Sequence, residues 1–331
     1  TEFGMFVSMD DGKAWMPFQQ NLPVTPITDI KIHRGDLVLS TMGRAFWILD
    51  NISPMREEGL NSTGALRLLK PQKAIRSRMP SGARGSRTPE YPRPAVFLDY
   101  VLPAESTETL KLEIRDMEGQ VLTAYSSDSI PGPIGGAVRD MGTNFTEFLV
   151  TESLTCKKGL NRFRWDMTQA GPWNKSDNRR YRSGPMVKPG TYTAVLSVGN
   201  LTSSQSFELE MDPRVLAAGV SEADVSAQVD FQLKIRDKIS ETLRLEEAIE
   251  KEIATLEEDA SEQAKEGRLQ TLKATLAEIK TAEGIYMQPM LADQWQYLYY
   301  MMGQADQLPG KDALDRYDEL SAGLEDLKKR L

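Results

Sequence analysis

The chain has 331 residues, 40% hydrophobic and 27% charged, the composition of an ordinary globular protein with material for two or three domains. A formal net charge of −8 argues against a general nucleic-acid surface, which needs clustered Lys and Arg, and no apolar run reaches the length of a membrane span. Cys156 is the single cysteine, so no intrachain disulfide forms; many bacterial surface proteins share this trait, and it leaves the compartment open.

The first recognisable element is a turn. Ser8-Met9-Asp10-Asp11-Gly12-Lys13-Ala14-Trp15 fits the pattern Ser-x-Asp-x-Gly-x-x-Trp. Gly12 supplies the positive φ of a tight hairpin, and the side chains of Ser8 and Asp10 suit hydrogen bonds to turn amides. Trp15 is expected to open the next strand with a buried ring. Thr28 to His33 alternates, Arg34-Gly35-Asp36 turns, Leu37 to Thr41 reads as a buried strand, and Gly43 turns into a third strand over Ala45 to Asp50.

The octapeptide is the Asp-box pattern. With Asn21-Leu22-Pro23 and Thr41-Met42-Gly43-Arg44, the stretch from Trp15 to Asp50 resembles the last blade of the sortilin-like (VPS10-type) or BNR-repeat β-propellers of secreted bacterial proteins. The resemblance covers about the first fifty residues and includes one Asp box. It implies a terminal propeller blade over residues 1–57. A propeller needs at least four blades, and no initiator Met, signal peptide or second blade-like repeat is present. The chain is therefore expected to be the C-terminal part of a longer protein. Its partner is then the remainder of the propeller, as an upstream part or a nicked fragment.

Residues 58–94 read as a basic, Pro/Gly-rich linker. Lys73, Arg76, Arg78, Arg84, Arg87 and Arg93 stand among Pro80, Gly82, Gly85, Pro89, Pro92 and Pro94. Such a segment suits either an anion or polysaccharide patch, or a strap whose guanidiniums pair with acidic surface on neighbouring domains. The strap is the expectation.

Over residues 95–213 short strands return. Val96 to Pro103, the alternating Leu110 to Arg115, Gln120 to Thr123, Asn161 to Met167, Tyr192 to Leu196 and Ser206 to Glu210 are separated by turns, with Gly199-Asn200 marking a hairpin. This spacing predicts an antiparallel sandwich of immunoglobulin type. Tyr100-Val101-Leu102-Pro103, Gly159 to Asp166 and Lys188-Pro189-Gly190-Thr191-Tyr192 make the segment similar to the Ig-like domain of the flagellar hook-capping protein, in which the domain is a spacer or docking module. Trp165 should be core and Asp166 should cap a turn. Trp173 and Tyr181, on a polar insertion, suit either a sugar-stacking platform or packing against a neighbouring domain.

Residues 214–331 are helical. Ser221-Glu222-Ala223-Asp224 starts a helix that meets no Gly or Pro to about Glu258, with Ile235, Ile239, Ile249, Ile253 and Leu256 in register. Three further stripes follow: Leu269, Leu272, Leu276, Ile279; Leu291, Trp295, Leu298, Met302; and Leu314, Tyr317, Leu320, Leu324, Leu327, Leu331. Amphipathic helices need one another, so an antiparallel α-helical hairpin or bundle is predicted. The run Trp295 to Met302 carries more rings than one face can bury, which makes Trp295 and Tyr299 candidate partner contacts.

The fold class is thus multidomain β plus α: a terminal blade, an Ig-like sandwich and a helical region. No catalytic constellation is recognisable. His33 is the single histidine, and there is no Gly-x-Ser-x-Gly, phosphate-cradling loop or Cys/His metal spacing, so no cofactor is expected and catalytic activity stays undecided. Five Asn-x-Ser/Thr sequons, at Asn51, Asn61, Asn144, Asn174 and Asn200, are read as turn sequences. The functional expectation is a non-catalytic scaffold or binding region of a secreted or surface-exposed bacterial propeller protein, with a protein or polysaccharide partner. Two alternatives stand beside it. One is an accessory part of a sialidase- or xyloglucanase-like glycoside hydrolase with its carboxylates in other blades; the other is a sortilin-like peptide binder.

Overall fold

The computed structural model describes residues 1–57, 65–78, 94–128, 154–175, 183–258 and 264–331. It is a mixed β plus α structure. Strands β1 (Phe6–Val7) and β2 (Met16–Pro17) form an antiparallel ribbon around the Ser8–Trp15 turn. Strands β3 (Ile27–His33), β4 (Asp36–Thr41) and β5 (Phe46–Leu49) form a separate meander in the order β3-β4-β5. The β3–β4 turn is Arg34-Gly35, both at positive φ (49° and 81°), the two-residue geometry that matches strand twist. The N-terminal region therefore contains two sheets with no ladder between them. A one-turn helix, α1 (Ser53–Arg56), follows.

Among the described residues the central region has ten strands: β6 (Arg67–Leu68), β7 (Ala74–Arg76), β8 (Val96–Leu102), β9 (Leu110–Arg115), β10 (Val121–Ser126), β11 (Gly159–Trp165), β12 (Thr168–Ala170), β13 (Ser183–Met186), β14 (Gly190–Val198) and β15 (Leu201–Met211). One sheet runs β10-β9-β14-β15-β7, a second β11-β8-β6, and β12-β13 is a small ribbon. Only the β15–β7 pairing is parallel among these ladders. Leu98, Tyr100, Phe163 and Trp165 from the three-stranded sheet share one hydrophobic cluster with Leu112, Ile114, Leu196 and Phe207 from the five-stranded sheet. Alternation is the cause: β9 buries Leu110, Leu112 and Ile114 and turns Lys111 outward.

Two parts of the expected linker are structural. Arg67–Leu68 pairs with β8, and Ala74–Arg76 pairs in parallel with Leu209–Met211. Residues 67–68 and 74–76 of this segment thus join the sheets of the central region. Each is too short to show a periodicity, and its partner lies far along the chain. Arg84, Arg87 and Arg93 lie outside the described residues.

The C-terminal helices are α2 (Pro213–Ala217), α3 (Glu222–Glu258), α4 (Ala264–Ile279), α5 (Leu291–Met302) and α6 (Lys311–Arg330). Asp212 accepts from the Arg214 amide at the start of α2. Ser221 and Asp224 exchange side-chain and backbone bonds at the start of α3 (Asp224 N–H to Ser221 Oγ, 3.1 Å; Ser221 N–H to Asp224 Oδ2, 2.9 Å), closing its first turn reciprocally. Ile235, Ile239, Leu272, Ile279, Trp295, Leu298, Leu324 and Leu327 join one cluster contributed by α3 to α6. Leu314, placed on the fourth stripe by its spacing, is instead exposed. Among the described residues, no helix is long and apolar enough to cross a membrane.

Candidate functional site

The Ser8–Trp15 turn closes on itself. Ser8 Oγ accepts from the Gly12 amide (2.7 Å) and donates to Asp10 Oδ1 (2.9 Å), which also accepts from the Ala14 amide (2.9 Å). Asp11 and Gly12 take positive φ, 60° and 85°. The bond from Ala14, with that from Ser8, holds the Asp10 carboxyl below its ordinary range. The expected burial of Trp15 is overturned: the ring is 64% exposed, and its indole N–H reaches only the Gly12 carbonyl of its own turn (3.2 Å). Trp15→Ala should therefore change the stability of this chain by no more than about 0.5 kcal/mol in urea denaturation, as at other open surface sites.

The β3–β5 sheet has one apolar face and one mixed face. Register places Ile30, Leu39 and Trp47 side by side with Ile32, Leu37 and Leu49 on one face; Val38, Ile48 and Phe46 lie on the other among Asp29, Lys31, Asp36 and Ser40. Only Leu39 of these is buried, whereas Phe46 is 75% and Ile48 61% exposed. Lone exposed hydrophobics are ordinary, but this arrangement is contiguous.

A polar clamp ties this region to the central sheets. Arg162 grips buried Asp99 with two hydrogen bonds (Nε to Oδ1, 2.7 Å; Nη2 to Oδ2, 3.1 Å). It also donates to the carbonyls of Asp50 (3.3 Å) and Asn51 (3.2 Å). Asn51, at φ 53°, donates its side-chain amide to Asp99 Oδ2 (2.9 Å) and takes the Asp36 carboxylate on its backbone N–H (2.8 Å). The guanidiniums of Arg162 and Arg164 lie 4.6 and 5.6 Å from the Phe97 ring centroid. Burial, then the nearby Asp36 charge, raise the Asp50 carboxyl, opposed by Arg164 and Arg162. Because Asp99 is enclosed, Arg162→Ala leaves its charge, among the described residues, with the Asn51 amide alone. The expected cost is about 2–3 kcal/mol, the worth of hydrogen bonds to a charged group, with hydrogen exchange quickening first at residues 50–57.

The other candidate residues named from the sequence do not converge on one place. Trp173 is half-buried, with its amide on Ser240 Oγ (3.0 Å) and its ring under Arg244 (5.4 Å), so α3 already occupies it. Tyr181 lies outside the described residues, as do Asn61 and Asn144. Trp295 is corrected from surface contact to core: it is fully buried against Tyr317. Tyr299 is half-buried, and its hydroxyl is enclosed. Tyr297 of the same run stays outside, 60% exposed. Trp165 is fully buried among Tyr192 and Phe207, and Asp166 accepts from the Thr168 amide and hydroxyl. His33 is exposed, and Asn51 is buried.

Strap residues pair with acids. Lys73 meets Glu208 (2.7 Å) and Glu210 (3.2 Å), and Arg76 and Arg78 both reach Asp306 Oδ1 at 2.7 Å. A cleft of about 380 Å³ lies where Arg34, Glu208, Glu210 and Glu222 approach one another, beside the Lys73 pairs. No group of His, Cys, Asp or Glu among the described residues is arranged to hold a metal ion. Sequence reasoning missed Asp99, Arg162, Asn51 and Asp306. Asp99 left a trace, a carboxylate inside the apolar run Val96 to Leu102; Asp306, in a connecting loop, left none.

Comparison with known protein families and with curated proteins finds no match for this chain.

Proposed function

We propose that the chain is a non-catalytic scaffold and docking region of a secreted or surface-exposed bacterial β-propeller protein. The observation that carries this reading is the β3–β5 sheet, which leaves Ile30 and Ile32 on its apolar face and Phe46 and Ile48 on the other open to solvent. A propeller blade sits between two neighbours, which cover the apolar side chains on its faces. The turn bonds of Ser8, Asp10 and Gly12 support the Asp-box reading, and the open Trp15 ring is a further surface for a neighbouring strand to cover. On this reading the two facing central sheets are an Ig-like sandwich, and α3 to α6 are an antiparallel helical bundle. The Arg162–Asp99 clamp transmits the blade's position to the sandwich, and the Asp306 contacts pass it to the helices.

The test is hydrogen exchange of residues 27–49 in the protein isolated from its native source, read together with its intact mass. A longer chain or bound blade-rich fragment, with slow exchange of β3 to β5 that turns fast in the isolated chain, is the expected result. Equal exchange in both, with the native material a monomer of this chain alone, would overturn the reading.

A further inference from the structure

Three arginines meet beside α5. Arg76, fully enclosed, donates from Nε to the Val187 carbonyl and from Nη1 to Asp306 Oδ1, 2.7 Å each. Arg78 donates from Nε to that same oxygen at 2.7 Å and from Nη1 to the Gly303 carbonyl at 2.5 Å. The Nη2 of each guanidinium is buried without a protein acceptor. Tyr299 precedes Gly303 by one helical turn. Its hydroxyl is buried without a partner, and the charges of Arg236 and Arg78 act on it. Gln232 of α3 also faces Gly303, with its Oε1 unpartnered. Arg236 bonds Asp237 and the Ala170 carbonyl.

The guanidinium and phenol groups share one polarity, that of donors, beside one unpartnered acceptor, Gln232 Oε1. Three guanidiniums stand against two carboxylates, Asp306 and Asp237, in a chain whose overall charge is −8. Asp306 engages Arg76 and Arg78 through a single oxygen, leaving two N–H-bearing Nη2 atoms and a phenol. Buried donors without acceptors are rare in native proteins and are accounted for by ordered water or an ion. Guanidinium N–H groups match oxyanions in geometry and charge. The side chains of Arg78 and Arg236 remain 20% and 23% exposed, so the cluster opens to solvent on their side. We propose that Arg76, Arg78 and Tyr299 form a binding site for a small oxyanion, a carboxylate or a phosphate, that enters beside Arg78 and Arg236. The site is independent of the propeller reading, since none of its residues lies in 1–57.

The test uses the full chain and its thermal midpoint in rising sodium phosphate or sodium acetate, with ionic strength held constant by sodium chloride. Wild type should show a saturable rise; it should vanish in Arg78→Gln and need at least tenfold more anion in Tyr299→Phe. The anion that saturates at the lower concentration names the class. A rise that is linear and equal in all three proteins is general salt exclusion, the result expected if water alone serves these donors, and it overturns the proposal. Should Arg78→Gln not fold, Tyr299→Phe decides alone, because it removes one oxygen. A saturable rise that Tyr299→Phe leaves unchanged also overturns the site as drawn.

Discussion

Asp306→Ala should destabilise the protein by about 3–5 kcal/mol, because it strips the counter-ion from a buried guanidinium. Arg76 has no exposed side-chain surface and Asp306 only 2%, so neither can turn to water. Replacing both partners, as Asp306→Leu with Arg76→Met, should recover most of the loss, since the penalty comes from the stranded charge. Arg78 is partly exposed and can hydrate on its own. Burial by itself raises the Asp306 carboxyl; the charges of Arg78 and Arg76, with their hydrogen bonds, outweigh it and hold the group below its ordinary 3.8. A depressed carboxylate stabilises in full above its unfolded value. That stability is lost as the pH falls through the folded value, because the unfolded chain binds the proton first. Urea midpoints at pH 7 and pH 3 check both points: the gap between wild type and Asp306→Ala should be wide at pH 7 and narrower at pH 3.

Trp165→Ala should cost about 3–5 kcal/mol, the range for truncating a large enclosed ring. The ring meets Tyr192 at 6.0 Å and Phe207 at 5.8 Å between centroids, both edge-on, and its indole N–H bonds the Thr168 carbonyl at 3.1 Å. Those contacts join the two central sheets, so the cavity would open between them. Guanidinium denaturation followed by near-ultraviolet circular dichroism reads this directly. A loss under about 1 kcal/mol would mean that the sheets do not share a core here. Set beside the small effect expected for Trp15→Ala, the pair separates a tryptophan that this chain buries from one that it leaves open.

Much of the local structure is legible in the residues. The strands over Thr28 to His33, Leu37 to Thr41, Val96 to Leu102 and Leu110 to Arg115 follow from alternation or continuous apolar runs, and β3 to β5 end where Gly35 and Gly43 allow positive φ. The helical stripes predict burial of Ile235, Leu272 and Leu324 because a period of 3.6 leaves one face to hide. What is not legible has a common cause. Ala74–Arg76 becomes a strand only because Leu209–Met211 lies beside it, and two or three residues carry no period of their own. The motif implies a buried Trp15, whereas burial depends on what covers the ring. The run from Trp295 holds too many rings for one face, which points to Trp295 and Tyr299 as contacts. The fold resolves this by sinking Trp295, half-burying Tyr299 and exposing Tyr297.

The sequence by itself determined where the chain turns, which face of each element is apolar, and that β-rich and helical regions succeed one another. Those properties are set by side chains a few residues apart, so local chemistry is enough. Only the tertiary structure decided which charges meet: Arg162 with Asp99 across two strands, and Arg76 with Asp306, 230 residues further on. An ion pair at that separation leaves no periodic mark, and its strength comes from the low dielectric that packing creates around it.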